Sequence, residues 1–317
     1  MMTSNEKTEN YSASTVEQLK TEFVLIPNSL GNTVLHDITD DIPIKSTDSH
    51  LLLRASMLEK DFEQGVSKSL QNLKLKLPHI RREVYDPSST EKLQRLGTGF
   101  YDLNTYKAPV HKSMVGFNGP VPCPKLFGEF MERLLPVNAE RNYMVRWMAR
   151  SIIRPAYKIR VAPVLRGAQG VGKGLLIDTV MSKLAGEHNV LNTSLGRITA
   201  EFNASVETCT ICCLDETYSR KKSSADKLKK FVTDEFITVT KKHVDSRQAR
   251  LYANIVILSN DRYPIHIEED DRRYYVPKFI EHKQDAQETV RFIKGFLAWF
   301  NAGGVAELYY YLKQVDE

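Results

Sequence analysis

The stretch RGAQGVGKGLLIDTV, residues 166–180, decides how the rest of the chain is read. Gly167 to Lys173 spell G-x-x-x-x-G-K, the pattern of a loop whose main-chain N–H groups wrap an anion. Glycines let the backbone approach phosphate oxygens closely. The apolar run VAPVL comes before the loop, and LLIDTVMSKLA, apolar at helical spacing, comes after it. Strand, loop and helix in this order aim the positive end of a helix at the same anion. Gly167, Ala168, Gln169, Gly170, Val171, Gly172, Lys173 and Gly174 are therefore the expected nucleotide-binding loop, with Lys173 reaching the β- and γ-phosphates. Gly174 stands where a serine or threonine hydroxyl ordinarily meets Mg²⁺. Water can fill that coordination position, so weaker metal affinity is expected and phosphate binding is retained.

Length and composition frame this reading. The chain has 317 residues, 42% hydrophobic and 26% charged, ordinary values for a soluble globular protein, and its length favours two domains over one. A net charge of +5 is compatible with a polyanionic partner and does not establish one. No apolar stretch is long enough to span a membrane, and the polar start MMTSNEKTENYSASTVEQ lacks a secretory apolar core. Of the four cysteines, three lie in TCTICCLDE, residues 208–216. Strand alternation predicts Cys209 and Cys213 on one face and Cys212 on the other, which favours small buried side chains over a converging metal site. Cysteines used this way suit a reducing, cytoplasmic compartment.

Hydropathy divides the chain. Residues 1–20 read as disordered, and residues 21–120 as an N-terminal region with short strands near 22–44, a helix over 49–77 and an irregular connector over 84–124. Residues 121–155 form a helical lead-in: one helix over 126–135, then one capped by Asn138, with Met144, Trp147 and Met148 on its apolar stripe. Residues 156–317 alternate strands and helices, ending in QETVRFIKGFLAWFNAGG, a closing helix with Gly303 and Gly304 at its C-terminus, after a strand YYVPKF. The fold class expected is α/β, a mostly parallel sheet with helices on both faces, preceded by the helical segment and the small N-terminal region.

Two further motifs follow the loop. TICCLDE places Asp215 and Glu216 at the end of an apolar strand, where Asp215 would hold Mg²⁺ through water and Glu216 would activate the attacking water. NIVILSN ends a third strand at Asn260, whose amide could meet the γ-phosphate. Between them, VTKKHVDSRQAR reads as a hairpin whose tip carries Lys241, Lys242 and His243, suited to a phosphate backbone. The basic stretch 219–230 is either a second contact or a solvated face.

Taken in order, these segments resemble the superfamily III helicases of viruses, phages and plasmids, and most of all the helicase part of phage and plasmid primase–helicases. APVLRGAQGVGKGLLIDTV looks like their phosphate-loop segment, FVTDEFITVTKKHVDSRQARLYANIVILSN like the segment joining their second and third motifs, and RNYMVRWMARSIIRPAYK like their helical lead-in. The resemblance covers about residues 124–279. It implies a P-loop, AAA+-like domain at 156–317 that uses ATP and Mg²⁺, with a DNA grip at Lys242 and His243 and a sensor at Asn260. It also implies an arginine finger at Arg272 or Arg273, with Arg273 favoured. A finger of that kind completes a neighbour's site, so the resemblance implies a homo-oligomeric ring, usually of six subunits, acting on single-stranded or forked DNA. The activity expected is that of an ATP-dependent DNA helicase in phage, plasmid or mobile-element replication. The alternative is an initiator or helicase-loader ATPase that binds DNA without unwinding it. Residues 1–120 are the expected contact for a replication-protein partner.

Overall fold

The structure is a computed structural model, and it describes residues 23–27, 33–37, 42–44, 77–96, 100–111, 120–200, 203–216, 222–240, 246–268, 270–282 and 285–317. The chain divides into two compact units, Met1–Val84 with Glu91–Thr105, and Tyr85–Thr90 with Tyr106–Glu317. Residues 1–20, nearly all of the helix expected over 49–77, and Lys241, Lys242 and His243 lie outside the described residues.

The first unit contains a six-stranded mixed sheet. Its strands are β1 (Phe23–Pro27), β2 (Thr33–Asp37), β3 (Ile42–Ile44), β4 (His79–Val84), β5 (Leu93–Arg95) and β6 (Phe100–Asn104), in the order β3-β2-β1-β4-β6-β5. The strands expected near 22–44 are present. The connector expected over 84–124 is corrected, because β5 and β6 both fall within it. Asp102 and Asn104, inside the stretch expected to be irregular, are both buried in β6. The Arg82 guanidinium meets the Asp102 carboxylate at 3.0 Å, so the buried charge is paired.

In the second unit, α1 (Lys125–Leu134) and α2 (Asn138–Ile153) precede a sheet. Asn138 is the first helical residue of α2 and not its cap; its side chain accepts from Arg141 Nη2 at 3.2 Å instead. Next come β7 (Ala162–Arg166), α3 (a π-helical Leu175–Met181 running into α-helical Ser182–Ala185), β8 (Val190–Thr193), α4 (Leu195–Ile198) and β9 (Ile211–Leu214). They are followed by α5 (Lys222–Thr233), β10 (Phe236–Val239), β11 (Arg247–Arg250), β12 (Asn254–Ser259), β13 (Tyr274–Tyr275), α6 (Ala286–Trp299) and α7 (Val305–Asp316). The five-stranded sheet has the order β13-β7-β12-β9-β8 and every pairing in it is parallel. β10 and β11 form a separate antiparallel ribbon. The strand expected from YYVPKF shortens to two residues, and Pro277, which has no N–H for a ladder, follows closely.

Two-residue alternation sorts the sheet's side chains between two cores. Leu165, Cys213, Val256 and Leu258 pack on one face with α1, α2, α3, α6 and α7. Val164, Cys212, Leu214, Ile255 and Ile257 pack on the other with Leu228, Phe231 and Val232 of α5. Strands buried on both faces read as unbroken apolar runs, as ICCL and NIVIL do. The cysteine expectation is corrected in one respect: Cys209 shares the Cys212 face, not the Cys213 face. A 3₁₀ turn ends at Thr208 and β9 begins only at Ile211, so Cys209 lies before the alternation starts. All four cysteines are free.

The C-terminus also departs from expectation. Gly303, at φ 132°, does end the first helix, but α7 follows at once and buries Leu308 and Leu312. Asp316 of α7 is held by Arg150 and Arg154 at 2.5 Å each. Among the described residues, no helix is long and apolar enough to cross a membrane.

The segment 157–159, between the lead-in and β7, is clamped to the sheet by buried polar groups. The Asn254 side chain accepts from Ile159 N at 2.7 Å and donates to Tyr157 O at 3.1 Å. Lys158 Nζ donates to Phe231 O at 2.8 Å and to Ala253 O, and burial pushes its pKa down to about 8. Asn254→Ala removes two hydrogen bonds, leaving a partly buried N–H and a partly buried carbonyl without this partner. It should lower the unfolding free energy by about 1–3 kcal/mol, read as a drop in the urea midpoint at unchanged slope. An unchanged midpoint would mean that the Asn254 bonds do not secure the segment 157–159.

Candidate functional site

Parallel strands point their carboxyl ends the same way, and open parallel sheets bind ligands at that edge. Here the glycine loop follows β7, Asp215 and Glu216 follow β9, and Ser259 and Asn260 close β12. These strands are neighbours, in the order β7-β12-β9. The topology therefore gathers three segments that are far apart in sequence.

The loop is fixed from both sides. Gly167 N donates to Ser259 O of β12 at 3.1 Å. On the other side runs the strap after β13: Ile280 N donates to Arg166 O at 2.8 Å, and Ala168 N donates to Ile280 O at 2.9 Å. The Arg166 guanidinium adds bonds to Arg262 O at 2.6 Å and Pro277 O at 3.1 Å. Gly170 and Gly172 adopt φ of 80° and 100°, a region open mainly to glycine. At Gly172, a Cβ would also meet the Phe130 ring at 3.3 Å.

Lys173 opens the helix after the loop and folds its side chain back beneath it. Its ammonium donates to Gly167 O at 2.8 Å, to Ala168 O at 2.9 Å and to Asn260 Oδ1 at 3.0 Å. Burial lowers its pKa, while the nearby Asp215 carboxylate pulls in the opposite direction. Glu216 stands at φ 47°, the one positive φ recorded for a non-glycine residue among those described, and its N–H donates to Asp215 Oδ1 at 2.8 Å. Left-handed backbone in a residue with a Cβ is strain, and such strain concentrates at functional sites.

A cavity of about 490 Å³ joins these groups: the loop from Gln169 to Gly174, Asp215, Glu216 and Asn260 line it. Phe130, Phe292 and Ile293 add apolar lining. The Arg133 guanidinium lies 4.2 Å from the centre of the Phe292 ring and pairs with Glu129 at 2.7 Å and Glu288 at 3.0 Å. The site can thus receive a molecule with an anionic end and a flat apolar end. The space beside Gly174 is narrow. Asp178 Oδ2 lies 3.2 Å from where a Cβ at 174 would stand, and Asp178 Oδ1 accepts from Asn192 Nδ2 at 2.7 Å. The Asp178 pKa is raised, mainly by desolvation and further by Asp215.

Of the residues singled out in the sequence, Gln169, Gly170, Val171, Gly172, Lys173, Gly174, Asp215, Glu216 and Asn260 line this cavity, and Gly167 and Ala168 supply the carbonyls that Lys173 holds. Arg273 is elsewhere, just before β13, where its Nη1 meets Asp271 Oδ1 at 3.1 Å. Lys241, Lys242 and His243 fall between β10 and β11 in sequence and lie outside the described residues. Sequence reasoning missed Phe130, Arg133, Glu281, His282, Phe292 and Ile293. The aromatic residues read as ordinary helix core, and nothing local marks the strap as part of the site.

Known proteins can now be set beside this geometry. The model of DUF5906, a family of unknown function, matches residues 165–273, a span that contains Lys173, Asp215, Glu216, Asn260 and Arg273. The chain is 28% identical over 200 residues to the DNA primase-polymerase of Nitratiruptor phage NrS-1, a match covering 61% of this chain and 27% of that protein. The matched part is thus about a quarter of that relative's length. Among solved structures, an apo structure of the NrS-1 C-terminal region superposes with a TM-score of 0.64 at 20% identity, covering 95% of this chain and 70% of that one. The A form of the same apo region gives a TM-score of 0.64 at 20% identity, over 94% of this chain and 67% of that one. The chain therefore shares the fold of that region.

The fixing of the loop is open to test at Gly167. A Cβ there would lie 2.6 Å from Ile280 Cβ and 2.7 Å from Ile280 O, a main-chain atom that cannot swing aside. Gly167→Ala should part the strap from the loop, giving faster amide hydrogen exchange at Ala168 and Ile280 and a lower melting temperature. Exchange unchanged at both amides would show that the bridge does not hold the loop.

Proposed function

We propose that this chain is a nucleotide-driven motor acting on DNA, an ATP-dependent helicase or translocase of the superfamily III kind, with a P-loop, AAA+-like domain at 156–317 and the lead-in at 121–155. The observation that carries the reading is the single cavity in which Lys173 and the loop meet Asp215, Glu216 and Asn260 at the carboxyl ends of three adjacent parallel strands. Likeness to part of a phage DNA primase-polymerase supports a replication setting.

In this reading the loop N–H groups and Lys173 bind the triphosphate, and the apolar wall of Phe292 and Ile293 receives the base. The donors at the mouth suit a hard cation: the carboxylates of Asp215 and Glu216 are exposed, and oxygen ligands are what Mg²⁺ takes. Asp215 is the residue to hold Mg²⁺ through water, and the ion's contribution is to neutralise phosphate charge. Glu216 takes a proton from the attacking water. Asn260, now bonded to Lys173, exchanges that partner for the γ-phosphate or the water. Arg273, with a half-exposed side chain, serves a neighbouring subunit's site, so the active form is a homo-oligomeric ring. Such a finger is worth about 10³–10⁵ in rate in related phosphoryl transfers. The β10–β11 ribbon carries Lys241, Lys242 and His243 to single-stranded or forked DNA, and the region before residue 120 takes a replication partner.

ATP hydrolysis, measured with and without single-stranded DNA beside the mass of the assembled state, tests the motor, the ring and the substrate together. Lys173→Ala should abolish turnover, and Glu216→Gln should abolish turnover while keeping nucleotide binding. Retained hydrolysis by purified Lys173→Ala rejects the phosphate-loop reading. Strand displacement separates this function from its alternative, since a loader or initiator hydrolyses ATP without separating strands.

The ribbon makes a separate prediction. Lys242→Ala should weaken DNA binding and DNA-stimulated turnover, leave nucleotide affinity intact, and flatten the log–log salt dependence of binding by about one unit. A salt slope and DNA affinity equal to the wild type's reject the ribbon as the DNA contact.

A further inference from the structure

The strap after β13 does more than brace the glycine loop. Two of its contacts are main-chain bonds, the parallel bridge of Ile280 with Gly167. The third is made by a side chain: His282 Nε2 lies 2.7 Å from Gln169 O. A carbonyl only accepts, so Nε2 must carry the hydrogen and His282 is the donor. The ring also packs beside the next residue, its Cε1 3.7 Å from where a Cβ on Gly170 would lie.

The peptide held in this way is the one that enters the left-handed turn at Gly170. It is trans, as are all peptide bonds among the described residues, so its N–H points opposite to its carbonyl. Drawing Gln169 O toward His282 therefore turns Gly170 N–H to the other side of the loop. Lys173 does the same for the two preceding carbonyls, those of Gly167 and Ala168. Three consecutive carbonyls are thus tied to cationic or imidazole donors; Ala168 N–H is taken by Ile280 O, and the N–H groups of Gln169 and Gly170 are the ones turned toward an anion, as a main-chain anion nest requires. Glu281, the neighbour in sequence, is engaged with Arg262 at 3.1 Å.

We propose that His282 is a positioning residue of the nucleotide site, and that its hydrogen bond to Gln169 O aims Gly170 N–H at a phosphate oxygen of the bound nucleoside triphosphate. The proposal rests on the reading of the loop as a nucleotide site.

The test is calorimetric titration of the 317-residue chain with a non-hydrolysable ATP analogue and Mg²⁺, for wild type, His282→Ala, His282→Asn and His282→Gln. A glutamine amide nitrogen reaches about as far as Nε2, and an asparagine amide stops one bond short. Alanine and asparagine should weaken binding about three- to tenfold, the range of one net hydrogen bond, and glutamine should restore it to within about twofold. A residue that merely fills space would not discriminate between two amides by reach. Wild-type affinity in the alanine or asparagine variant, or a glutamine variant as weak as alanine, overturns the proposal. If the alanine variant does not fold, the asparagine–glutamine pair decides. Failure of the wild type to bind the analogue rejects the loop reading itself, a distinct result.

Discussion

The Lys173 ammonium is the point on which this architecture turns. It ties the start of the glycine loop to the end of β12 by bonding two loop carbonyls and the Asn260 amide together. An ammonium withdrawn from water needs acceptors on every side, and the loop, which curls around it, provides them. The loop's shape thus depends on the same charge that would meet an incoming phosphate. Everything else in the second unit holds that arrangement in place: parallel strands bring the three motif ends to one edge, and the strap closes the loop from outside.

Much of this was legible because the chemistry is local. Glycine spacing, the apolar runs ICCL and NIVIL, and the stripe through Met144, Trp147 and Met148 each carry their own geometric meaning. The parallel sheet and its two apolar faces follow from them. So does the neighbourhood of Lys173, Asp215, Glu216 and Asn260, because strand ends in a parallel sheet must converge.

What was not legible depends on contacts between distant residues. Asp102 falls in a stretch that reads as an irregular connector, and its burial in a strand depends on the counter-charge of the distant Arg82. Cys209 obeys the alternation on paper, but a 3₁₀ turn ends just before it and delays the strand. Gly303 and Gly304 end a helix as glycines do, and only the packing of Leu308 and Leu312 starts another. His282 has no motif around it. Its place in the site comes from a two-residue strand and one bridge to Gly167. The clamp on residues 157–159 is hidden for the same reason: nothing about Asn254 in NIVILSN foretells that its side chain serves a backbone segment far upstream.

Gly174 carries a consequence for which side chains the loop can accept. The space beside its α-carbon is shared with the Asp178 carboxylate, itself fastened to Asn192. A hydroxyl residue installed there needs the acid one helical turn later to yield by a few tenths of an ångström. The two positions are therefore coupled: how well any side chain fits at 174 depends on where the exposed carboxylate at 178 can move.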